Sequence, residues 1–413
     1  MRKLLLTSMM MLSLSLTFAG GYRVALQGQR MLGMAHAGLS VFENPETAFF
    51  NPAGISFLKD KFAISFGASG ILSNIKFQNE LYNWKAQTDN PLGTPFYLYA
   101  TYQADDHVSV GLAIYTPFGS SAVWNQWQGS QVVRSISMKV IYVQPSMAYK
   151  FSDMFSVSAS LIMAYGNISY SKDINRYLTG DNGEKTYAAL ESGWINNAGY
   201  ALSLAFRPSD KVSMGLNYRS KIVLNAKHGL AKFHNVPTIL SDRLTTTAFS
   251  AKLPMPAELG IGISVKPNDK LLLAFDYNYT FWSAYQKLQI DFKNGLPSSV
   301  NDKNWKNTNT FRLGAEYHVT DNIAVRAGYY YDGSPIPQER FSPETPSMDS
   351  NNYTFGLGYN MNKLSIDFSI LYHQAKERTD YTWVNGEGSA YRFGGTYVMN
   401  AIIPGIGVTY KIN

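Results

Sequence analysis

Histidine, serine and cysteine are the residue types that would supply a catalytic or metal-binding centre, and their spacing in this sequence does not predict one. The nearest approach to a Gly-x-Ser-x-Gly nucleophile motif is Gly67-Ala68-Ser69-Gly70, whose spacing is wrong. There is no cysteine, and therefore no thiolate metal site and no disulfide framework. No His-Glu-x-x-His motif or other metal-ligand spacing joins the six histidines, at positions 36, 107, 228, 234, 318 and 373. We therefore predict that the protein is not an enzyme and holds no metal ion or cofactor.

The charged residues follow a period of two, which is clearest in the stretch from Phe311 to Tyr331. Apolar residues occupy the odd positions on both sides of a short turn at residues 320–322. Alternation of this kind predicts two antiparallel strands joined by a tight turn, each with one apolar and one polar face. The even positions carry the polar and small residues: Arg312, Gly314, Glu316, His318, Arg326 and Gly328.

The same alternation continues through most of the chain and predicts an all-β fold. Each run is about the nine to eleven residues that a tilted membrane strand needs. Fifteen runs can be named, two of them only shorter candidates, at 96–102 and 248–253, and they predict about 14 strands, an even count of the kind that outer-membrane barrels have. Besides the pair above, they are Phe62–Phe66, Phe96–Tyr102, Val108–Ile114, Ile141–Tyr149, Phe155–Tyr165, Tyr200–Phe206, Val212–Tyr218, Ala248–Leu253, Leu259–Val265, Leu271–Tyr279, Tyr353–Tyr359, Leu364–Tyr372 and Ile406–Ile412.

A membrane barrel explains these faces better than a soluble sandwich does. A lysine or arginine on the lipid face near mid-membrane costs roughly 2–4 kcal/mol, and the charged residues are confined almost entirely to the face opposite the apolar one. A closed barrel also leaves no strand edge unpaired in hydrocarbon. Tight turns alternate with long polar connectors at 171–194, 221–247, 291–310, 333–351 and 375–400. We therefore predict a transmembrane antiparallel β-barrel of about 14 strands.

The first residues predict export. Arg2-Lys3 supplies positive charge, Leu4–Leu16 is apolar, and Thr17-Phe18-Ala19 is a small-x-small cleavage signature. Residues 1–19 are therefore interpreted as a signal peptide, with the mature chain beginning at Gly20. The apolar run is short for a retained transmembrane helix. The expected location is the outer membrane, where lipid and lipopolysaccharide are the surroundings.

The net charge does not indicate a nucleic-acid partner. The excess of 36 Lys and Arg over 29 Asp and Glu is modest and scattered along the chain. No basic patch is interleaved with aromatic residues, as nucleic-acid recognition would require. The basic residues fit solvated loops and contacts with lipid headgroups.

Residues 20–58 lack the strand pattern. Met31, Met34, Ala35 and Leu39 stand at helix-like spacing, and residues 48–53 read Ala-Phe-Phe-Asn-Pro-Ala. A compact segment rich in small residues is suited to lie inside a barrel. We divide the mature chain into an N-terminal plug, residues 20–58, called the hatch, and the barrel, residues 59–413. A plug of this size argues against an open porin or a surface adhesin and favours gated uptake.

Several motifs in the mature chain are those of one known family. The N-terminal one is Asn51-Pro52-Ala53, and others are Tyr218-Arg219-Ser220, Leu253-Pro254 and residues 279–288. The most specific match lies between Trp305 and Asp349, and its residues are Phe311-Arg312-x-Gly314, Tyr317, Asn322, Arg326-x-Gly328, Asp332-x-Ser334-Pro335-x-Pro337, Arg340 and Pro346. In these motifs, which span nearly the whole mature chain in order, the sequence resembles the FadL family of outer-membrane long-chain fatty acid transporters. That family includes aromatic-hydrocarbon channels.

The resemblance implies a monomeric barrel of 14 strands with the hatch folded inside. It also implies that the third strand is kinked and opens a lateral hole in the wall. In this sequence that strand is Val108–Tyr115, followed by Thr116, Pro117, Phe118 and Gly119. Proline cannot donate to the ladder and glycine relaxes it, so paired strands should separate there. The alternative is an ordinary strand end followed by a turn.

The resemblance further implies a ligand pocket with basic residues for a carboxylate. It assigns that role to Lys172 and to Lys303 or Lys306, and it places Tyr22 at the pocket. The alternative for each lysine is a solvated loop charge. Arg312, Glu316 and Arg326 are expected to form a charge ladder across the lumen that holds the hatch, and Asn51 is expected to bond the hatch to the wall. Candidates for an external groove, or alternatively for an interfacial girdle, are Leu92, Phe96, Trp124, Trp127, Tyr187 and Trp194.

The function implied by the resemblance is uptake of long-chain fatty acids or similar hydrophobic molecules. Ligand would be captured at the external loops, pass into the pocket, and leave sideways through the kinked strand after the hatch rearranges. The alternative cargo is an aromatic hydrocarbon or another lipophilic molecule carried by the same route.

Overall fold

The computed structural model describes residues 20–385 and 390–412. The signal peptide predicted for residues 1–19 lies outside them. Among the helices of the described residues, none is long and apolar enough to cross a membrane.

The described residues form 21 β-strand segments in one antiparallel sheet. Branched and aromatic residues at alternate positions suit these strands because they pack well on one face of a pleated surface. In chain order the segments are β1 Phe62–Ser69, β2 Leu72–Gln78, β3 Lys85–Gln87, β4 Phe96–Gln103, β5 Val108–Val123, β6 Ser135–Ser152, β7 Phe155–Asp173, β8 Tyr187–Ser209, β9 Val212–Arg219, β10 Ile222–His234, β11 Thr247–Met255, β12 Glu258–Asn268, β13 Leu271–Thr280, β14 Lys287–Phe292, β15 Ser299–Asp302, β16 Thr308–His318, β17 Ile323–Asp332, β18 Ser350–Met361, β19 Leu364–Ala375, β20 Arg378–Asn385 and β21 Ala390–Ile412.

These segments combine into 14 barrel strands. Segments β5 to β8, β17, β18 and β21 are whole strands, and the others join in consecutive pairs, beginning with β1 and β2, as the two halves of a strand. The ring closes because β21 pairs with both β1 and β2, so that Tyr410 lies opposite Ile64 and Ile402 opposite Leu72. The predicted antiparallel barrel is confirmed.

The barrel turns its apolar face outwards. Leu313 in β16 and Phe355 in β18 are 59% and 60% exposed, whereas Arg312, Glu316 and Arg326 at the alternate positions are buried. An apolar outer surface of this kind requires lipid as its solvent, and the polar residues then line the interior.

Several strands are longer than the sequence analysis predicts. Three of them, β7, β8 and β21, contain 19, 23 and 23 residues. They extend into the segments 171–194 and 375–400, which the sequence analysis interprets as connectors. β10 lies entirely within a third predicted connector, 221–247. The backbone ladder continues beyond the apolar band. Outer side chains contact water there, and the hydrophobic alternation that would reveal a strand disappears.

The hatch has little regular structure. It contains the short helices α1, Gln29–Leu32, and α2, Thr47–Phe50, and a 3-10 helix at Pro52–Phe57. The helix-like spacing in the sequence overestimates α1, because Ala35 and His36 adopt left-handed φ values of 58° and 61° that end any helix. Two further 3-10 turns occur in the barrel, at Thr238–Leu240 between β10 and β11 and at Trp282–Ala284 between β13 and β14.

Inward-facing residues of the barrel bind the hatch backbone. Leu39 N–H donates to Asp276 Oδ2 at 3.0 Å, and Ala35 N–H donates to Thr354 Oγ1 at 2.9 Å. Because these acceptors lie on the polar face of β13 and β18, the hatch occupies the space that the barrel surrounds.

Glycines on the inward face let the hatch backbone approach the wall closely. A Cβ atom on Gly215 would collide with Leu39 O, and one on Gly314 would collide with Met34 O. Glycine is required at both positions because no side chain fits between wall and hatch there.

Candidate functional site

A gap in the wall opens beyond the end of the ladder that joins β4 and β5. Their ladder ends at the pair Tyr97 and Tyr115. Nearer the other end of β5, Asp89 N–H donates to Val123 O at 2.8 Å. Between these two contacts the described residues show no strand pairing across the gap, which we call the window.

β5 remains a strand across the window because it keeps its pairing with β6. The register of that pairing shifts between Tyr115 and Phe118. Pro117 lies in this bulge and has no N–H to donate, so it interrupts the ladder towards β4. Pro117, Phe118 and Gly119, the residues predicted to form the kink, therefore border the window. The alternative prediction, an ordinary strand end followed by a turn, is wrong, since β5 extends to Val123.

The hatch supplies a partner for β5 in part of the window. Val24 N–H donates to Pro117 O at 2.8 Å, and Gly119 N–H donates to Tyr22 O at 3.1 Å. Arg23 lies opposite Phe118 in this short antiparallel pairing. Residues 22–24 therefore form a short strand on the edge of β5, which we call the hatch strand.

The side chain of Arg23 holds the hatch strand to the opposite side of the interior. Its guanidinium lies 3.0 Å from Glu258 Oε1 and 3.1 Å from Asp332 Oδ1, and it also donates to Thr310 Oγ1 at 3.1 Å. Charge-assisted bonds of this kind are stronger than bonds between neutral groups. Displacing the hatch strand therefore requires breaking a buried ionic cluster as well as two backbone bonds.

A cavity of about 650 Å³ connects the interior with the window. Tyr330 and Met348 line its interior end, whereas Lys139 and Trp194 line it from outward-facing positions. The hatch strand borders the cavity. Because residues from both faces of the wall line one space, a molecule in the interior could reach the outer surface here.

A second, apolar pocket of about 80 Å³ shares Tyr22 with the window cavity. The Tyr22 ring centroid lies 4.7 Å from that of Trp282 and 5.5 Å from that of Trp305, and its hydroxyl donates to Pro254 O. Tyr22 therefore stands between the pocket and the window. The apolar walls of the pocket are Ile136, Ile168, Leu190, Leu224, Leu253 and Leu288.

Two of the three candidate lysines meet beside this pocket. Lys303 is 1% exposed, and its ammonium donates to the carboxylate of Glu344, which lines the pocket. Lys172 lies close enough to interact electrostatically with both Glu344 and Lys303. Lys306 is exposed and does not join them.

The six candidate groove residues do not form one groove. Trp124 and Trp127 stack inside the barrel with ring centroids 4.3 Å apart. Tyr187 packs under the guanidinium of Arg134 at 4.0 Å. The remaining three line the window cavity and are Leu92, Phe96 and Trp194.

Asn51 bonds the hatch to the wall. Its Nδ2 donates to Leu39 O of the hatch at 3.0 Å and to Leu204 O of β8 at 2.9 Å. Its Oδ1 accepts from Ala53 N–H at 3.2 Å, at the start of the 3-10 helix that begins with Pro52. The Asn51-Pro52-Ala53 motif thus caps the 3-10 helix and joins the hatch to β8.

Glu316 of the predicted charge ladder lies between two arginines. Its Oε2 accepts from Arg326 Nε at 2.5 Å and from Arg30 Nε, in the hatch, at 2.9 Å. Arg326 also lies 2.7 Å from Asp367 Oδ1. Arg312 is not part of this cluster, and its Nη1 donates to a hatch carbonyl at 3.1 Å.

The sequence analysis did not identify Arg23, Arg30 or Glu344 as site residues. For the two arginines a signal existed, because full charges are rare in a segment as apolar as the hatch. Glu344 lies in a connector with no periodicity, so nothing local marks it. In the described residues, no group of three or more His, Cys, Asp or Glu side chains is placed to hold a metal ion.

Glu46 joins two parts of the hatch, and its burial is expected to make the stability of the folded hatch dependent on pH. Its carboxylate oxygens accept from Arg30 N–H at 3.2 Å and Met31 N–H at 3.1 Å. Burial raises the pKa of Glu46 from 4.5 to about 7, and nearby Asp367 adds to the shift. A raised carboxyl pKa means that the folded protein binds the proton more tightly than the unfolded chain does. Stability should therefore fall as the pH rises from 4.5 through about 7.

We expect the heat stability of the folded barrel to be greater at about pH 5 than at about pH 8, with a difference on the order of 3 kcal/mol from Glu46. Heat-dependent mobility on SDS gels measures this. Glu46→Gln should flatten the profile, because the amide stays neutral throughout. An unchanged slope in Glu46→Gln would assign the pH dependence to another group.

Comparison with known proteins agrees with the outer-membrane barrel. The family model for outer membrane protein transport proteins (OMPP1/FadL/TodX) matches residues 10–412. Outer membrane protein P1 of Haemophilus influenzae is 21% identical over 420 residues, which cover 90% of each chain.

Solved structures share the fold. A FadL homologue from Pseudomonas aeruginosa has a TM-score of 0.83 at 21% identity and covers 95% of this chain and 100% of its own. The toluene transporter TodX of P. putida has a TM-score of 0.72 at 15% identity, covering 92% of this chain and 98% of its own. With the family model matching almost the whole sequence, this chain belongs to the OMPP1/FadL/TodX family of outer membrane transport proteins.

Proposed function

We propose that this protein, acting as a monomer in outer-membrane lipid, takes up hydrophobic molecules and releases them sideways through the window. The ligand enters the apolar pocket from the external side. Displacement of the hatch strand then connects the pocket with the window, and the ligand leaves into the outer leaflet. Lateral release avoids transfer of an apolar molecule into water, which is the unfavourable step.

The observation that carries this proposal is the window cavity. It is lined from both faces of the wall, and its border on the hatch side is a strand of three residues, held by two backbone hydrogen bonds to β5 and by the ion pairs of Arg23. Tyr22, in that strand, also lines the apolar pocket. A movement of one short segment would therefore join the pocket to the lipid.

Two substrate classes fit this route. Among the structures with the same fold, one is a homologue of FadL and another is a toluene transporter. Lys172 and Lys303 would favour a fatty acid, as the resemblance implies, whereas the apolar pocket walls would accept an aromatic hydrocarbon equally.

Filling the window should stop uptake without preventing assembly. A Cβ atom on Gly119 would lie 3.4 Å from Met138 O and 3.5 Å from Val24 Cγ2, which is ordinary contact. We expect Gly119→Phe to fold normally and to place its ring in the window. Uptake of radiolabelled oleate and toluene by cells should then fall to the level of cells that lack the protein.

The matched control is Val110→Phe, which adds a ring to the outer face of the same strand away from the window. This variant should transport as the wild type does. If Gly119→Phe assembles and transports normally, lateral release is refuted.

A further inference from the structure

The pocket carries a carboxylate of its own. Glu344 is 3% exposed and lines the apolar pocket, and its Oε1 accepts from the ammonium of Lys303. Its Oε2 lies 3.4 Å from the hydroxyl of Tyr170, a second pocket residue. One of the two lysines available for a ligand's anionic group is therefore already paired with protein.

The connector that carries Glu344 is held firmly in place. It joins β17 to β18, and its side chains Phe341 and Met348 are each 1% exposed. Trp124 Nε1 donates to Pro343 O at 3.0 Å, immediately before Glu344. The carboxylate is thus positioned by packing on both sides and does not sample the solvent freely.

The charge count beside the pocket follows from this arrangement. Lys172, Lys303 and Glu344 interact with one another and together carry one net positive charge, in place of the two that the lysines alone would have. Lys252 also lines the pocket, but it is an exposed residue whose charge water screens. An anionic ligand would meet half of the attraction and a direct repulsion from Glu344, in a site with little water to screen either. A neutral ligand meets neither effect.

We propose that Glu344 determines the ligand class of this pocket, which accepts neutral hydrophobic molecules, such as hydrocarbons and long-chain alcohols, in preference to fatty carboxylates. This inference rests on the proposed function, because it concerns the same pocket. Glu344 occupies Lys303 in the way that a ligand carboxylate otherwise would. The apolar pocket walls then select ligands by their hydrocarbon chain or ring and not by an anionic head group.

A ligand pair that differs only in the head group tests the inference on the wild-type protein. Trp282 and Trp305 are buried beside Tyr22, so a bromine-labelled chain in the pocket should quench their fluorescence. At alkaline pH, where the acid is ionised, we expect the brominated alcohol to bind at least about tenfold more tightly than the matching carboxylate. Equal or tighter binding of the carboxylate would overturn the inference.

The variant Glu344→Gln provides the second arm. Removing this charge frees Lys303, so carboxylate binding should tighten by about tenfold while alcohol binding changes by less than about twofold. A carboxylate affinity that stays unchanged or weakens would refute the role of Glu344. If the variant does not assemble, the wild-type comparison alone decides.

The matched control is Asp380→Asn. Asp380 is a buried carboxylate that accepts from Glu339 N–H of the same connector at 2.9 Å but does not line the pocket. Its loss should leave the ratio of the two affinities unchanged. If neither ligand binds the wild type at all, the proposed uptake function fails, whereas a preference for the carboxylate removes only the inference about Glu344.

Discussion

A disulfide between the hatch strand and β5 is expected to abolish uptake until it is reduced. The wild-type chain has no cysteine, so the pair Val24→Cys and Gly119→Cys can bond only to each other. An added Cβ on Gly119 lies 3.5 Å from Val24 Cγ2, which marks a position that the sulfur of a cysteine at residue 24 can take, so the two sulfurs can come within bonding distance. Because the covalent bond prevents the hatch strand from leaving β5, oxidised protein should transport at background level, and a reducing agent should restore transport.

The control for this experiment is a second disulfide between the hatch and the same strand. A Cβ on Gly111 lies 3.5 Å from the Cβ of Ala48, which is suitable geometry for a bond. It ties the body of the hatch to β5 and leaves residues 22–24 free. If only the hatch strand must move, Ala48→Cys with Gly111→Cys should transport normally when oxidised. Loss of uptake in both pairs would show that the whole hatch moves.

Neutralising Glu316 is expected to loosen the hatch and open the barrel to ions. In Glu316→Gln the guanidinium groups of Arg30 and Arg326 would face each other without the carboxylate between them. Breaking a buried ion pair on one side typically costs about 3–5 kcal/mol. Because Arg30 belongs to the hatch and Arg326 to the wall, the loss of this ion pair weakens the association of the hatch with the wall. Higher ion conductance in planar bilayers, and greater sensitivity of cells to large antibiotics, should result.

An exposed ion pair provides the contrast for the Glu316 experiment. Asp153 lies 3.5 Å from Lys150 with its side chain 99% exposed, so Asp153→Asn should change neither conductance nor stability measurably. A Glu316→Gln barrel that assembles and stays as closed as the wild type would contradict the structural role given to this cluster.

The membrane-embedded part of the fold follows from the sequence, but the parts in water do not. Between Phe311 and Tyr331 one face must meet lipid and the other must not, so the residue types reveal both the strand and which of its faces is turned outwards. Beyond the apolar band β8 continues to Tyr187 with water on its outer side. The cost of placing polar side chains in lipid no longer applies there, so apolar residues need not alternate. The strand therefore cannot be recognised from the sequence.

The site was predictable where a residue's chemistry restricts the backbone, and not where distant segments meet. Pro117 marks the end of the ladder by its missing N–H, so the window could be expected there. The hatch strand that fills part of it could not, since Arg23 and Phe118 are far apart in the chain and no local pattern pairs them. Lys303 poses the same problem, because its partner Glu344 comes from a connector whose path depends on the whole barrel.

The glycine contacts make the two sides of the barrel interior different. At Gly215 and Gly314 the hatch backbone touches the wall so closely that not even a methyl group fits. A solute crossing on that side would have to lift the hatch body away from several strands at once. On the side of β5 the proposed route requires only the three residues of the hatch strand to move, together with the loss of the Arg23 ion pairs. The release route that we propose therefore uses one half of the circumference, and we expect the other half to stay closed while the ligand passes.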